Sequence, residues 1–368
     1  MFHASDPERL AVIKSLKPGQ IGSRDALDSG IHGLFITCIA QKVKESPEAF
    51  ETFFNLTSLK DIEYKLATDF KVHNICSGLN GNNAACPCPY CDQLRKYFHK
   101  KGKARTIRSN KRKFDEFQLD NGITPRNFPG KFDSVCREPI MPGFDDDELI
   151  LHCIPPSELH LMEGITNHVL TKIRFEIPEL FKGFMQTLGL DREKYEMYTK
   201  KCNYDGNDVK KILNHINDFI VFCEPIQWPF GDVSALPHLH FLRAFSKVVH
   251  SCFGFLLEPD YAEKIALAKE AFDLLCSATA KRVKKKLRVH YFYKVHVLIF
   301  HVGDFVEKFG PLGPFSEQAG ETVHSWWTKL WISYRSLPLT PGERLLRALV
   351  EWNFRRLSLI LENLNDDD

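Results

Sequence analysis

The chain has 368 residues, of which 43% are hydrophobic, and a formal net charge of +2. That is enough apolar material for one large domain or two ordinary ones, and the near-neutral balance excludes a global field for capturing nucleic acid. No stretch approaches the ~18 uninterrupted apolar residues of a membrane span, so no membrane partner is expected. The opening residues, Met1 to Val12, lack the charged-then-apolar pattern of a secretory leader. Eleven cysteines, an odd number at irregular spacings, then predict reduced thiols in the cytosol or nucleus.

In chain order, residues 30–40 read as a buried strand, apolar and opened by Gly33. A helix is predicted over 46–59, started by Ser46-Pro47, with Phe50, Phe53 and Phe54 on one face. Residues 62–79 begin apolar and turn helical after Asp69, where Val72, Ile75, Cys76 and Leu79 fall at helical spacing. A Gly/Asn/Pro-rich turn over 80–89 leads into Cys88-Pro89-Tyr90-Cys91. The segment from 95 to about 147 is irregular, with Pro125, Pro129, Pro139 and Pro142. Ser157 caps a helix over 154–174. Further helices are expected over 176–188, 191–201, 206–223, 236–257, 260–280, 288–309, 316–335 and 341–363. The organisation predicted is α/β: an N-terminal segment 1–29, a strand-containing core 30–100, a basic linker 101–153, a helical insertion 154–287 and a helical C-terminal part 288–368.

Two half-sites stand far apart: Cys88/Cys91, and His296/His301 beginning 205 residues after Cys91. Two thiolates and two imidazoles make a tetrahedral set suited to zinc, and to neither calcium nor magnesium. A pair spaced i, i+5 needs a bend or a helix end to bring its rings together. The alternative is a free CxxC beside two core histidines, and Cys86, His99 and His290 are rival ligands. Asp69 lies 19 residues before Cys88, either projecting into a cleft or capping a helix. Glu321 lies 20 residues after His301, and Glu317, Glu321 and His324 share a helical face. Those acids either flank a cation or form a solvated face.

The run 95–113 carries ten cations: Arg95, Lys96, Lys100, Lys101, Lys103, Arg105, Arg108, Lys111, Arg112 and Lys113. Tyr97, Phe98 and His99 interleave with them. The pattern suits phosphate contacts, a solvated loop or a nuclear-localisation patch at 111–113. Lys284, Lys285 and Lys286 form a second run. No GxGxxG, P-loop or GxSxG is present.

Taken in order, these landmarks resemble the catalytic core of the V(D)J recombinase catalytic subunit and its relatives, the Transib-type transposases. The parts are Asp69 before the CxxC, Asp92 after it, Glu158-Leu159-His160 opening a helix, and Asp205-Gly206-Asn207 with Lys211-Ile212. The aromatic-rich 291–301 with its His pair and Ser316-Glu317-Gln318-Ala319-Gly320-Glu321 complete the set. The resemblance runs from about residue 30 to about 335. It implies an RNase H-like core, here partial, with a large helical insertion and a structural zinc at Cys88, Cys91, His296 and His301. It also implies DNA cleavage and strand transfer by two Mg²⁺ or Mn²⁺ ions, with Asp69 as second catalytic Asp and Glu321, or Glu317 one turn away, as catalytic Glu. His160 would sit beside the scissile phosphate. The implied partners are DNA and a second copy in a homodimer, with no small-molecule substrate, and the implied location is nuclear. The family's first catalytic Asp has no counterpart; Asp25 and Asp28 are poor substitutes, and around Cys252-Phe253 a Phe stands where the family has a base-stacking Trp. The N-terminal DNA-binding regions of the family are absent as well. The resemblance therefore points either to a truncated recombinase core or to a non-catalytic, zinc-stabilised module that binds DNA or protein.

Overall fold

The structure is a computed structural model describing residues 46–57, 64–120, 130–190, 201–223, 236–280, 288–316, 332–334 and 336–365. Among them the regular structure is all helical, with no strand or sheet. The extended pairings are three isolated bridges, Leu79–Val135, Cys91–Ala104 and Thr106–Leu149. This overturns the α/β, RNase H-like expectation. The predicted strand at 30–40 lies outside the described residues. The apolar entry at 64–69 is extended but makes no ladder; its Leu66 N–H donates to the Cys153 carbonyl at 2.9 Å. A resemblance in motif order carries no information on which backbone groups pair, and here turns and side chains take those bonds.

The first helices are α1 (Pro47–Thr57), α2 (Phe70–Cys76), α3 (Ile107–Leu119) and α4 (Ile150–Cys153). Between α2 and α4 the chain is mostly irregular and tied by single hydrogen bonds. The amides of Cys136 and Arg137 both donate to the Gly78 carbonyl, and Ile140 N–H donates to Cys76 O.

From α5 (Glu158–Glu176) onward apolar residues recur at helical spacing, so helices build the core. Ser157 Oγ accepts from the His160 amide at the N-terminus of α5, as the sequence predicts. Leu161, Ile165, Val169 and Ile173, each four residues apart, are fully buried on one face. Each contributes roughly 1.5–3 kcal/mol of burial. Pro178 then ends α5 and opens α6 (Pro178–Thr187), because a residue before proline disfavours helical ψ. Next come α7 (Gly206–Asn214), α8 (Ile216–Cys223), α9 (Leu236–Cys252) and α10 (Tyr261–Ala280). The α9–α10 pair is the most extensive helix contact, and Phe241 meets Phe272 edge-on at 4.8 Å inside it. Then follow α11 (Tyr293–Val297), a π-helical turn (Leu298–Val302) and α12 (Gly303–Phe309), with α13 (Pro341–Asn365) last. The π turn packs on α10 and α11 on α5, which positions residues 296–301 inside the core. No helix of the described residues is long and apolar enough to cross a membrane.

The imidazoles of His73 and His238 are fully buried in this core. Burial pushes both His73 and His238 down to about 3. Tyr90 Oη lies 3.2 Å from His73 Nδ1, and the Glu176 carboxylate is 3.8 Å from His238 Nδ1. Both rings stay neutral in the fold but take up protons when unfolded, below about pH 6.5. Stability should therefore fall as pH falls from about 6.5 towards 3, by about 1.4 kcal/mol per pH unit for each ring. Urea titrations at pH 7, 6 and 5 should show a midpoint dropping stepwise. A flat profile would mean that these rings are not buried neutral.

Candidate metal centre

Cys86-Pro87-Cys88-Pro89-Tyr90-Cys91 forms a tight knuckle with Cys88 and Cys91 fully buried. The opposing histidines come from the helix containing the π turn. Residues five apart on an α-helix point about 140° away from each other. In a π turn hydrogen bonds run from i to i+5, so residues five apart lie on one face. Leu298–Val302 supplies that turn, and His296 and His301 both face the knuckle.

The four donor atoms lie within 4.8 Å of one another. Cys88 Sγ is 3.5 Å from His301 Nε2, Cys91 Sγ is 3.2 Å from His296 Nε2, and the two Nε2 atoms are 3.3 Å apart. A zinc tetrahedron with Zn–S of about 2.3 Å and Zn–N of about 2.05 Å has edges of about 3.6 Å (S–N) and about 3.3 Å (N–N). The distances lie near those edges, so the residues fit a four-coordinate ion after small side-chain shifts. His296 Nδ1 lies 3.0 Å from the Phe98 carbonyl, which fixes the tautomer leaving Nε2 free to ligate, and the Phe98 ring stacks on the imidazole at 4.5 Å.

The electrostatics agree. The hydrogen bond from Cys88 holds the Cys91 thiol far below its ordinary range, helped by His296 and His301, whereas burial raises Cys88. Burial also lowers His301, favouring the neutral imidazole a metal requires. All four positions are used, so the site is closed, as in structural rather than catalytic zinc centres. Of the rival ligands, Cys86 is buried but outside the set, its amide donating to Ser134 Oγ at 3.0 Å, while His99 and His290 are exposed.

Arg105 belongs to this centre, although the sequence places it in the basic run. It is 3% exposed, and its guanidinium donates to the carbonyls of Cys88 (3.1 Å), Cys91 (3.0 Å) and Asp133 (2.7 Å), and to Asn110 Oδ1 (3.2 Å). No sequence signal distinguishes it from neighbouring surface cations.

The other predicted residues that the structure describes are not brought into a metal-binding set. Asp69 is the N-cap of α2, with Oδ1 accepting from the Val72 amide at 2.8 Å. His160 and Asp69 both lie close enough to buried His73 to act on it electrostatically. Glu317, Glu321 and Lys284, Lys285 and Lys286 lie outside the described residues. Among the described residues, the Cys88/Cys91/His296/His301 group is the only set of three or more His, Cys, Asp or Glu side chains arranged for a metal ion. The expected Mg²⁺ or Mn²⁺ site at Asp69 thus has no support, because among the described residues no second carboxylate joins this capping Asp in a set arranged for an ion.

The cations of 95–113 divide sharply. Lys101 pairs with Asp304 (2.5 Å), Arg108 with Asp147 (2.6 Å), Lys111 with Asp146 (2.8 Å), and Lys113 (2.9 Å) and Arg112 (3.8 Å) with Glu116. Arg95, Lys96, Lys100 and Lys103 are exposed and form no ion pair among the described residues. Arg95 donates to the Asn82 carbonyl, and Lys96 lies over Tyr97, which is 43% exposed. No protein-family profile matches this chain, and no curated protein matches it.

Proposed function

We propose that the protein is a non-catalytic, zinc-braced helical module that binds nucleic acid through the loop 95–103, and that it is related by descent to the recombinase family it resembles. A nuclear location and a homodimer would follow from the same kinship. The observation carrying this proposal is the placement, directly after the zinc knuckle, of four exposed cations that form no ion pair among the described residues and of one exposed tyrosine. A rigid metal centre then presents charges to phosphates and an aromatic face to a base. Asp69 caps α2 through Oδ1, which favours a structural over a catalytic role for it.

Binding of a duplex should weaken with salt, and neutralising Arg95, Lys96, Lys100 and Lys103 to Gln together should flatten the log–log slope by up to about 3.6 (about 0.9 per phosphate). Affinity near 0.1 M salt should drop at least about tenfold. An unchanged slope, or no binding by the wild type, removes the proposal. Wild type and Asp69→Ala should both fail to nick duplex DNA in Mn²⁺; nicking that depends on Asp69 would restore an enzyme.

Protein docking is favoured by a separate observation on α13. Leu346, Val350 and Phe354, four residues apart, are 61%, 59% and 68% exposed and line a groove of about 790 Å³ with Tyr334 and Leu337. Salt-independent DNA behaviour, together with association lost on Val350→Glu, would select that function instead.

A further inference from the structure

Three consecutive residues without the freedom of glycine, Phe132, Asp133 and Ser134, have φ of 52°, 52° and 65°. Left-handed backbone is uncommon at single residues of this kind and is not expected in a run, because each Cβ crowds the following carbonyl. Such strain persists only where the surroundings over-determine it. Here two of the restraints tie the turn to the metal knuckle. Arg105 bridges the Cys88 and Cys91 carbonyls to the Asp133 carbonyl, and Ser134 Oγ accepts from the Cys86 amide. The Ser134 carbonyl accepts from the Asn80 amide at 3.0 Å. The same guanidinium holds Asn110, whose side-chain amide donates to Ser77 O at the end of α2.

We propose that Lys131–Ser134 is a metal-coupled latch: zinc fixes the knuckle, Arg105 transmits its geometry, and the turn is held left-handed only while the knuckle is closed. Metal loss frees the Cys88 and Cys91 backbone, Arg105 loses its fixed acceptors, and residues 131–134 relax towards ordinary φ. Arg105 is a positioning residue in this scheme; it touches the ligands' carbonyls and not the ion. The latch lies beside α3, since Phe132 meets Phe117 edge-on at 6.1 Å, so metal occupancy is transmitted to the basic helix 107–119. The inference rests on the zinc assignment and is independent of nucleic-acid binding.

Coupling has a thermodynamic signature. If the strain exists only in the metal-bound state, relieving it must tighten the metal, and increasing it must weaken the metal. The test uses the full chain, with Zn²⁺ affinity read by competition against a chelator and site geometry read from the absorption of the Co²⁺ form. Asp133→Gly should tighten Zn²⁺ by threefold or more, and Asp133→Val should weaken it at least tenfold, which is about 1.4 kcal/mol. Arg105→Lys, which cannot span two carbonyls, should also weaken it tenfold or more. Gly189→Ala, at another left-handed position (φ 65°) away from the knuckle, should leave affinity unchanged. Affinities that are flat across the Asp133 series mean that the turn is left-handed with or without metal, and overturn the latch. An effect of Gly189→Ala as large as that of Asp133→Val assigns the change to global stability and overturns it too. If the wild type gives no tetrahedral Co²⁺ spectrum, the metal centre itself fails, which is recognisably a different failure.

Discussion

Replacing Cys91 with Ser is expected to abolish stoichiometric zinc and lower the thermal midpoint by more than about 10 °C. Structural zinc in small fingers contributes apparent binding energies of about 10–16 kcal/mol, all of it folding energy. This centre joins residues 205 positions apart, so it closes most of the described chain into one loop. Losing even about 4–5 kcal/mol of that coupling at roughly 2–4 °C per kcal/mol accounts for the shift. Chelation of the wild type should reproduce it. The effect should shrink as pH falls, since protons compete for both thiolates and both imidazoles and zinc then stabilises the wild type less. Cys86→Ser should change neither quantity, because that thiol lies outside the donor set. A Cys91→Ser protein that keeps one zinc and its midpoint would show that the four side chains hold no ion.

Gly78→Ala should be the most damaging single methyl added to the irregular region, at about 3 kcal/mol or more. Gly78 has φ +77°, and a Cβ there would stand 2.3 Å from the Arg137 carbonyl oxygen. The left-handed cost alone is about 1–2 kcal/mol. Relieving the clash must push residues 136–137 away from the Gly78 carbonyl they both bond, adding about 1–3 kcal/mol of overpacking strain. Gly81→Ala is the matched control: its φ is +97°, and nothing lies within 4 Å of the added Cβ. It should cost only the left-handed term. Chemical denaturation of both variants gives the comparison directly, and equal losses would refute the clash at Gly78.

The parts of this molecule legible in the sequence are those with a local cause. Amphipathic spacing places α9 and α10 within a few residues of their ends, and Ser157 announces α5. Cysteine and histidine spacing gives the ligand set, because few other residue pairs suit one ion. The reading over 206–223 as one helix fails at His215, where α7 ends and α8 begins, since apolar periodicity continues across the break. Asp69 was ambiguous for a physical reason: a carboxylate entering a cleft and one capping a helix occupy the same sequence context, and here the cap is made. The absence of a sheet among the described residues was not legible, because whether an extended segment such as 64–69 pairs depends on distant backbone. Arg105 was illegible for the opposite reason: its burial depends on the fold of a knuckle around it.

The π turn has a consequence for how the chain encodes direction. Relative to an α-helix, it stores one surplus residue between His296 and His301, which rotates everything downstream by about 100°. That rotation decides that Phe305 and Val306 point inward while Asp304 reaches Lys101 across the surface. Deleting one residue between the histidines would leave a pair spaced i, i+4, still able to hold the same ion from a plain α-helix. The ion would stay and Gly303–Phe309 would keep its facing, because the π turn takes up that one surplus residue. The turn thus acts as an angular compensator: it gives a pair spaced i, i+5, and the helix after it, the directions that a pair spaced i, i+4 would have on a plain α-helix.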